Sequence, residues 1–230
     1  MIVIITGGSR GIGKAIAQQF VAEGNTILLV ARNESLLKQA AGDLSIHGTR
    51  VEYHIADLGI KDQVRKCAEW ALGFGTPDIL VNNAGSFVPG NVSDEEDGNL
   101  ELMLEVNLLS AYNLTRALLP SMIKKNSGHI FNISSIAGLK AYSGGGSYSI
   151  SKYALNGFSV NLRAELMKTG IKVTTIFPGA VLTDSWNGFD NSNGRIMEAE
   201  DIAKMVYACT GLTKQATVED IIIRPQAGDL

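Results

Sequence analysis

The sequence has few cysteines and no cluster of metal-binding residues. Its two cysteines, Cys67 and Cys209, each lie in a helical pattern without a CxxC motif or a suitably spaced histidine. Isolated cysteines of this kind are typically buried as small apolar side chains, so we expect neither a disulfide nor a metal site. The three histidines, His47, His54 and His129, are far apart along the chain and give no indication of catalysis or metal binding.

The sequence also lacks an excess of charge and any long apolar run. Its 20 basic and 23 acidic residues give a net charge of −3, which provides no basic surface for nucleic acid or for an anionic membrane. No apolar run approaches the roughly 18 residues of a membrane-spanning helix. The opening "MIVIITGG" is too short and lacks the basic flank of a signal peptide. We therefore expect a cytoplasmic protein with neither a nucleic-acid nor a membrane partner.

Short apolar segments alternate with longer helical patterns along the whole chain. Apolar strands of this kind, separated by helices, are typical of a parallel sheet that is buried on both faces. The 230 residues, 45% of them hydrophobic, fit one α/β domain with a doubly wound sheet of about seven strands flanked by helices. We predict strands over 2–6, 26–30, 50–55, 78–82, 129–134, 172–177 and 219–225. We predict helices over 12–24, 33–45, 60–72, 148–167 and 199–210, with another, long helix that ends near residue 125.

The first strand leads into a glycine-rich turn, "TGGSRGIG", over residues 6–13. Its glycines, Gly7, Gly11 and Gly13, would let a pyrophosphate approach the backbone at the start of a helix, where free N–H groups and the helix dipole favour an anion. The alternative is a tight turn that only packs the helix onto the strand. The position after the first strand of a β-α-β unit favours dinucleotide binding.

Two arginines accompany this turn, and no carboxylate follows the second strand directly. Arg10 lies inside the glycine-rich turn and Arg32 follows the second strand, where an NAD-selective site usually has an acidic residue. Guanidinium groups bind phosphate bidentately, so this pair favours the 2′-phosphate of NADP(H), with NAD(H) as the weaker option. Alternatively, both arginines are ordinary surface charges.

The segment "YSISK" places Tyr148 four residues before Lys152. On a helix these side chains share one face, about 5–6 Å apart at Cβ. A free tyrosine has a pKa near ~10, and we expect the neighbouring ammonium to lower the pKa of Tyr148 toward that of a useful acid–base group. The alternative is an amphipathic helix that happens to contain a tyrosine. Tyr153 has no cation one turn further on and is expected to lie in the core or an interface.

Five motifs together resemble the short-chain dehydrogenase/reductase family, whose members have a Rossmann fold. They are "TGGSRGIG" (6–13), "AD" (56–57), "NNAG" (82–85), "NISS" followed by "YSISK" (132–135 and 148–152), and "PG" (178–179) with Thr183 beyond it. They occur in the family's order and span most of the chain.

The resemblance implies four catalytic residues and an extended cofactor site. Besides Tyr148 and Lys152, it indicates Ser135, thirteen residues before Tyr148, as the second hydrogen-bond donor to a carbonyl oxygen, and Asn107 as the residue that holds a water near the lysine. Ser134 is expected to point away and bond to backbone, and Asn107 has the alternative of a polar residue in a buried helix. The cofactor-binding residues implied are Gly7, Ser9, Arg10, Gly11, Ile12, Gly13, Arg32, Asp57, Leu58, Asn83, Ala84, Gly85, Tyr148, Lys152, Pro178, Gly179, Val181 and Thr183.

The function expected from these residues is NADPH-dependent reduction of a carbonyl to an alcohol, or the reverse. The alternative is a regulatory or redox-sensing NADP(H)-binding protein on the same fold. The irregular segment 184–197 is predicted to be a lid loop over the substrate, in which Trp186 and Phe189 suit an apolar group and Arg195 suits an anion.

We also expect a homodimer, through an apolar face of the two helices near 100–124 and 148–167. A tetramer is less expected, since the final "EDIIIRPQAGDL" lacks the family's glycine-rich tail. The residues proposed for the dimer face are Leu102, Val106, Leu109, Leu155, Phe158 and Leu162.

Overall fold

A computed structural model describes residues 1–45, 48–186 and 188–229 and shows seven parallel strands in one sheet. The strand order is β3-β2-β1-β4-β5-β6-β7. Most strands are short apolar segments, and neighbouring strands pair in parallel because helical connections return the chain to the same edge of the sheet. The strands are β1 (Ile2–Thr6), β2 (Thr26–Ala31), β3 (Val51–Ile55), β4 (Ile79–Asn82), β5 (Gly128–Ile133), β6 (Ile171–Pro178) and β7 (Asp220–Ile223).

Helices cover both faces of the sheet. On one face, α1, α2 and α7 pack against the strands through a cluster that includes Phe20, Leu37 and Ile202. On the other, α3, α5 and α6 do so through a cluster that includes Leu118 and Leu162. The helices are α1 (Gly11–Val21), α2 (Glu34–Leu44), α3 (Lys61–Leu72), α4 (Asn99–Leu104), α5 (Ser110–Lys125), α6 (Gly146–Leu166) and α7 (Ala199–Thr210). The predicted fold class is therefore confirmed.

The strand order reverses between β1 and β4, and this fixes where a ligand can bind. In an open parallel sheet, the connections on either side of such a reversal leave in opposite directions and open a crevice at the carboxyl ends of the strands. The glycine-rich turn follows β1 and the "NNAG" segment follows β4, so both motifs face this crevice. Ser134 and Ser135 follow β5, and Thr183 lies beyond the end of β6.

The long helix predicted to end near residue 125 is divided in the structure into two helices joined by a π-helical turn. The second helix, α5, ends at Lys125, and the turn between α4 and α5, Glu105–Leu109, contains Asn107. Such turns insert an extra residue and are frequent at functional sites. The predicted lid segment 184–197 contains a short 3₁₀ helix, Asp184–Trp186, in addition to irregular chain.

The cysteines lie where the sequence analysis places them. Cys67 and Cys209 are free and buried, one in each of the two apolar clusters, and burial raises the pKa of the Cys67 thiol to about 12. Across the described parts of the chain, no helix combines the length and the apolar character that crossing a bilayer requires.

Candidate active site

A cleft of about 950 Å³ runs along the carboxyl ends of the central strands. It extends from the ends of β2 and β3, past the glycine-rich turn, to Tyr148 and Lys152 on α6. Most of the residues proposed for a cofactor line it, from six separate segments of the chain. They are Gly7, Ser9, Arg10, Gly11, Ile12, Arg32, Asp57, Leu58, Asn83, Ala84, Gly85, Tyr148, Lys152 and Thr183.

The glycine-rich turn is packed so closely that two of its glycines cannot be replaced without a shift. Gly7 has a φ of +64°, a backbone conformation that side chains disfavour. A Cβ on Gly13 would lie 2.3 Å from the carbonyl oxygen of Gly7 and 2.6 Å from Nδ2 of Asn83. Gly13 does not line the cleft itself, so its role is to bring α1 against the turn.

Asn83 and Thr6 connect the "NNAG" segment to the glycine-rich turn. Asn83 Nδ2 donates to the carbonyl oxygens of Thr6 and Gly7, at 3.0 and 3.3 Å. The Thr6 hydroxyl oxygen accepts from the backbone N–H groups of Asn83 and Ala84, both at 2.9 Å. These bonds fix the carboxyl ends of β1 and β4 relative to each other at the base of the cleft.

The start of α1 suits an anionic group. No side chain caps it, and its first turn contains no acidic residue, so its free N–H groups are not neutralised by the protein. Ser9, Gly11 and Ile12 line the cleft at this point. A pyrophosphate therefore fits the turn, both sterically and electrostatically.

Arg10 and Arg32 both line the cleft, and each is paired with a carboxylate. Arg10 forms a salt bridge with Asp184, and Arg32 Nη1 lies 3.7 Å from Oδ2 of Asp57. Both pairs are largely exposed, and exposed pairs of this kind are weak, so a phosphate can compete for either guanidinium. Asp184, whose side chain the sequence analysis did not single out, joins the lid segment to the glycine-rich turn.

Three of the proposed cofactor residues after β6 do not line the cleft. A Cβ on Gly179 would lie 3.0 Å from Cδ of Pro225, and Val181 is buried and pairs with Met197. Pro178 ends β6 and is buried as well. Together they set the course of the chain toward Thr183, whose Cγ2 lies 3.1 Å from the position of a Cβ on Gly11.

Tyr148 and Lys152 lie at the far end of the cleft, and Ser135, which does not itself line the cleft, adjoins Tyr148. Lys152 is buried, its Nζ donates to the carbonyl oxygen of Ile133 at 3.0 Å, and it lies 5.8 Å from the centre of the Tyr148 ring. Ser135 is next to the Tyr148 phenol and interacts with it. Ser134 donates to the carbonyl oxygen of Lys152, which is the backbone bond expected of it, although it also lines the cleft.

The expected lowering of the Tyr148 pKa is wrong for the protein by itself. Burial raises the pKa of Tyr148, and the smaller effect of the Ser135 hydroxyl, which lowers the pKa, does not offset this. Burial also lowers the pKa of Lys152, to about 8, so its positive charge is itself disfavoured at this site. A phenol that stays protonated at neutral pH is suited to donate a proton.

Asn107 uses its whole side-chain amide to fix other residues. Its Oδ1 accepts from the N–H of Ser86 at 2.7 Å, and its Nδ2 donates to the carbonyl oxygen of Ser86 at 3.0 Å and to the Ser151 hydroxyl at 2.9 Å. Gly85 lies between this amide and Lys152, since its Cβ would be 3.2 Å from Asn107 Oδ1 and 3.6 Å from Lys152 Nζ. A water held near the lysine would therefore have to use the backbone of Asn107.

The pKa of Lys152 predicts a pH-dependent stability. In the unfolded chain its pKa is 10.5 and in the fold it is about 8, so between these values the unfolded state binds more protons and stability rises with pH. We expect the free energy of unfolding of the wild type, relative to that of Lys152→Met, to increase between pH 8 and 10 at up to about 1.4 kcal/mol per pH unit. Urea unfolding of both proteins measures this; a difference that is flat or falls over this range would contradict the burial of a cationic lysine.

Two aromatic residues, Phe87 and Tyr142, lie close to Tyr148. Phe87 lines the cleft, is 45% exposed, and packs edge-on against the Tyr148 ring with centroids 4.9 Å apart. Tyr142 is also exposed, and its phenol raises the pKa of Tyr148. No local pattern identifies Phe87, because its contact with Tyr148 spans sixty-one residues.

The structure also shows the surroundings of Tyr153 and of three side chains in the predicted lid segment. Tyr153 is 44% exposed and so is not a core residue. Arg195 donates to the carbonyl oxygens of Gly228 and Asp229, so its guanidinium is hydrogen-bonded within the chain. Trp186 and Phe189 contact each other edge-on.

The histidines do not line the cleft where the structure describes them. His129 is buried against Phe131 and the Thr174 hydroxyl, and burial lowers the pKa of His129 to about 3. His54 stacks on Trp70. His47 lies outside the described residues.

The chain is similar to oxidoreductases over almost its whole length. The model of the short chain dehydrogenase family matches residues 1–193. Uncharacterized oxidoreductases of Staphylococcus epidermidis and Staphylococcus aureus are 32% identical over 225 residues, which cover 97% of this chain and 96% of each of theirs.

Solved structures of enzymes with this fold superpose closely. An alcohol dehydrogenase from the archaeon Thermococcus sibiricus, complexed with 5-hydroxy-NADP, has a TM-score of 0.91 at 26% identity and covers 100% of this chain and 98% of its own. L-Sorbose reductase from Gluconobacter frateurii, complexed with NADPH and L-sorbose, has a TM-score of 0.87 at 30% identity and covers 96% and 94%. The matched family model, the similar relatives and the shared architecture lead to one conclusion: this chain belongs to the short chain dehydrogenase family.

Proposed function

We propose that this oxidoreductase reduces the carbonyl group of a small molecule to an alcohol with NADPH, through Tyr148, Lys152, Ser135 and Asn107. The observation that carries the proposal is the position of Tyr148. Its half-buried phenol lies beside Ser135, with Lys152 Nζ 5.8 Å from the ring centre, at one end of a cleft whose other end suits a dinucleotide. Substrate oxidation in the reverse direction uses the same groups.

The roles of the residues follow from their positions. NADPH, when bound, supplies the hydride. The Tyr148 phenol donates a proton to the carbonyl oxygen, and the Ser135 hydroxyl donates a hydrogen bond that stabilises the charge developing on that oxygen. Lys152, anchored by Ile133, orients Tyr148 and stabilises its phenolate once the proton has left. Asn107 holds Ser86 and Ser151 in place and, through its backbone, the water that reprotonates the site.

The residues that would hold the cofactor line the cleft from Arg32 and Asp57, past the glycine-rich turn, to Tyr148 and Lys152. The Thermococcus and Gluconobacter enzymes are complexed with 5-hydroxy-NADP and NADPH, and a metagenomic short-chain oxidoreductase with a TM-score of 0.86 is complexed with NADP. Here Arg10 and Arg32 provide the cationic groups that a 2′-phosphate needs, which supports NADP(H) over NAD(H).

Replacing Arg32 by alanine tests the cofactor preference. Each hydrogen bond to a charged group is worth about 1.5–3 kcal/mol, so Arg32→Ala should weaken NADPH binding about 10- to 100-fold. NADH lacks the 2′-phosphate, so its affinity should change less than about twofold by the same reasoning. Calorimetric titration of both nucleotides measures this, and an equal loss for both would refute the role of Arg32.

The substrate proposed is a ketone, an aldehyde or a 3-oxoacyl group. The exposed side chains of Phe87 and Tyr142 beside Tyr148 favour a substrate with an apolar group next to the carbonyl. Arg195, which was expected to bind an anionic group of the substrate, is instead hydrogen-bonded to backbone carbonyl oxygens of this chain. Oxidation of NADPH in the presence of such compounds tests the function. A protein that binds NADPH but oxidises it with none of them would favour the regulatory alternative.

The surface of α4, the π-helical turn, α5 and α6 supports a homodimer. Leu102, Leu109 and Tyr112 are exposed there, as are Ile150 and Val160. Leu155 and Leu162, which were expected on this face, are instead buried within the chain, Leu162 in the cluster that includes Leu118. Phe158 is partly buried and contacts Tyr112. A tetramer remains compatible with the proposal.

A further inference from the structure

The N-terminus of α6, which carries Tyr148, is held by a loop from a distant part of the chain. The loop, residues 90–95, lies between β4 and α4; we call it the clamp segment. It contacts the start of α6, residues 144–147, through four hydrogen bonds. Tyr148 directly follows the last of these residues, so any displacement of the helix start displaces the phenol.

Glu95 makes the two bonds closest to Tyr148. Its Oε1 accepts from the Ser147 hydroxyl at 2.6 Å, and its Oε2 accepts from the Ser147 N–H at 3.2 Å. Ser147 is buried, and no side chain of the helix's own N-cap residue satisfies this N–H. A carboxylate at a helix N-terminus is also favoured by the helix dipole. Glu95 thus acts as a cap supplied from fifty-two residues away.

Two further bonds fix the clamp segment to the glycines before α6. Asn91 Oδ1 accepts from the Gly144 N–H at 2.8 Å, and the Gly90 N–H donates to the Gly144 carbonyl oxygen at 3.1 Å. A Cβ on Gly146 would lie 2.5 Å from the Gly90 carbonyl oxygen and 3.0 Å from Glu95 Oε2. The glycines therefore permit a close approach between two backbones.

The other side of Tyr148 is fixed independently. The Ser151 hydroxyl donates to the Tyr148 carbonyl oxygen at 2.7 Å and accepts from Asn107. Asn107 thus holds the helix one turn after the start of α6, and Glu95 holds the start itself. Tyr148 lies between these two attachments, while the cofactor cleft contacts neither Glu95 nor Ser147.

We propose that Glu95 is a positioning residue for Tyr148, acting through the N–H and hydroxyl groups of Ser147. The proposal rests on the role of Tyr148 as proton donor. Proton transfer depends on alignment, and a displacement of about 1 Å can cost about 100-fold in rate. Among the described residues, the clamp segment forms no hydrogen bond with the glycine-rich turn, Arg10 or Arg32, the groups proposed to bind the cofactor's phosphates. Glu95 should therefore affect turnover without affecting NADPH affinity.

Glu95→Ala, Glu95→Gln and Ser147→Ala test the proposal, with Glu96→Ala as the matched control. Glu96 is the neighbouring carboxylate, and its side chain has no hydrogen bond or ion pair to any residue within the described ranges. We expect Glu95→Ala to lower kcat at least about tenfold, with KM for NADPH within about twofold of wild type. In Glu95→Gln the amide oxygen can still accept from the Ser147 N–H and the amide nitrogen can donate to the Ser147 hydroxyl oxygen, so this variant should retain most of kcat. Ser147→Ala loses the hydroxyl bond alone and should fall between the two.

The pH profile separates positioning from a merely structural role. Reduction needs a protonated Tyr148, so the rate falls as pH rises through the pKa of that phenol. Burial raises this pKa and the Ser135 hydroxyl lowers it, and both effects depend on where the phenol lies. In Glu95→Ala the alkaline limb should therefore move, whereas in Glu96→Ala it should not move.

Hydrogen–deuterium exchange provides a readout that does not depend on activity. The amides of residues 145–149 should exchange faster in Glu95→Ala and Ser147→Ala than in wild type, while those of the glycine-rich turn should not change. Two results would overturn the positioning role. One is exchange of these amides that is no faster in the variants than in wild type, and the other is faster exchange while kcat and the pH profile stay unchanged. If the wild type reduces no carbonyl, the proposed function fails, but the exchange data still show whether Glu95 holds the helix start.

Discussion

Tyr148→Phe is expected to lower kcat for carbonyl reduction by about 10²- to 10⁴-fold, the range contributed by a positioned general acid. Phenylalanine keeps the ring that packs against Phe87 and removes only the hydroxyl that faces Ser135. The cleft at the glycine-rich turn is unchanged, so the Kd for NADPH should stay within about twofold of wild type. Steady-state kinetics and a fluorescence titration of NADPH measure the two effects separately.

Tyr153→Phe is the matched control for this substitution. Tyr153 lies on the same helix, is largely exposed and does not line the cleft, so losing its hydroxyl should leave both kcat and NADPH affinity unchanged. A Tyr148→Phe enzyme as active as the Tyr153→Phe enzyme would contradict the assignment of Tyr148 as proton donor.

Gly13→Ala is expected to lower kcat/KM by about 100-fold, because a displacement of about 1 Å in the turn is costly. The new Cβ would lie 2.3 Å from the Gly7 carbonyl oxygen and 2.6 Å from Asn83 Nδ2, and the first of these is a backbone atom that cannot rotate away. Either α1 or the glycine-rich turn must move, which should also destabilise the fold by about 1–3 kcal/mol. Kinetics with varied NADPH and urea unfolding check both effects.

Gly42→Ala provides the comparison. Gly42 lies in α2, and a Cβ there would meet nothing within 4 Å. Alanine in a helix is favoured over glycine by about 0.5–1 kcal/mol, so this variant should be slightly more stable, with unchanged kinetics. If Gly13→Ala behaved like Gly42→Ala, the close packing of α1 on the turn would not be needed for function.

The sequence was sufficient to predict the order and type of nearly every strand and helix. Apolar segments such as "IVIIT" are short and continuous, and the helical patterns between them are long, so tertiary contacts did not have to override local preference. The π-helical turn around Asn107 could not be predicted. It depends on bonds from the Asn107 amide to Ser86 and Ser151, which lie in other segments.

Within the site, the sequence identified residues by motif but did not give their environments. Lys152 was expected to lower the pKa of Tyr148, and the effect of burial on that pKa becomes visible only when the surrounding residues are in place. Gly146, at the start of α6, lies in close contact with Gly90 and Glu95, two residues with no local signal that connects them to α6.

Transfer of a labelled hydride tests the central proposal most directly. The protein should be incubated with a ketone or aldehyde and NADPH carrying deuterium at C4, separately for each of the two epimers, and the alcohol analysed by mass spectrometry and NMR. We predict that one epimer places a single deuterium on the carbinol carbon and that Tyr148→Phe nearly abolishes this product. An alcohol without label from either epimer, or no alcohol from any carbonyl compound despite bound NADPH, would contradict the proposal.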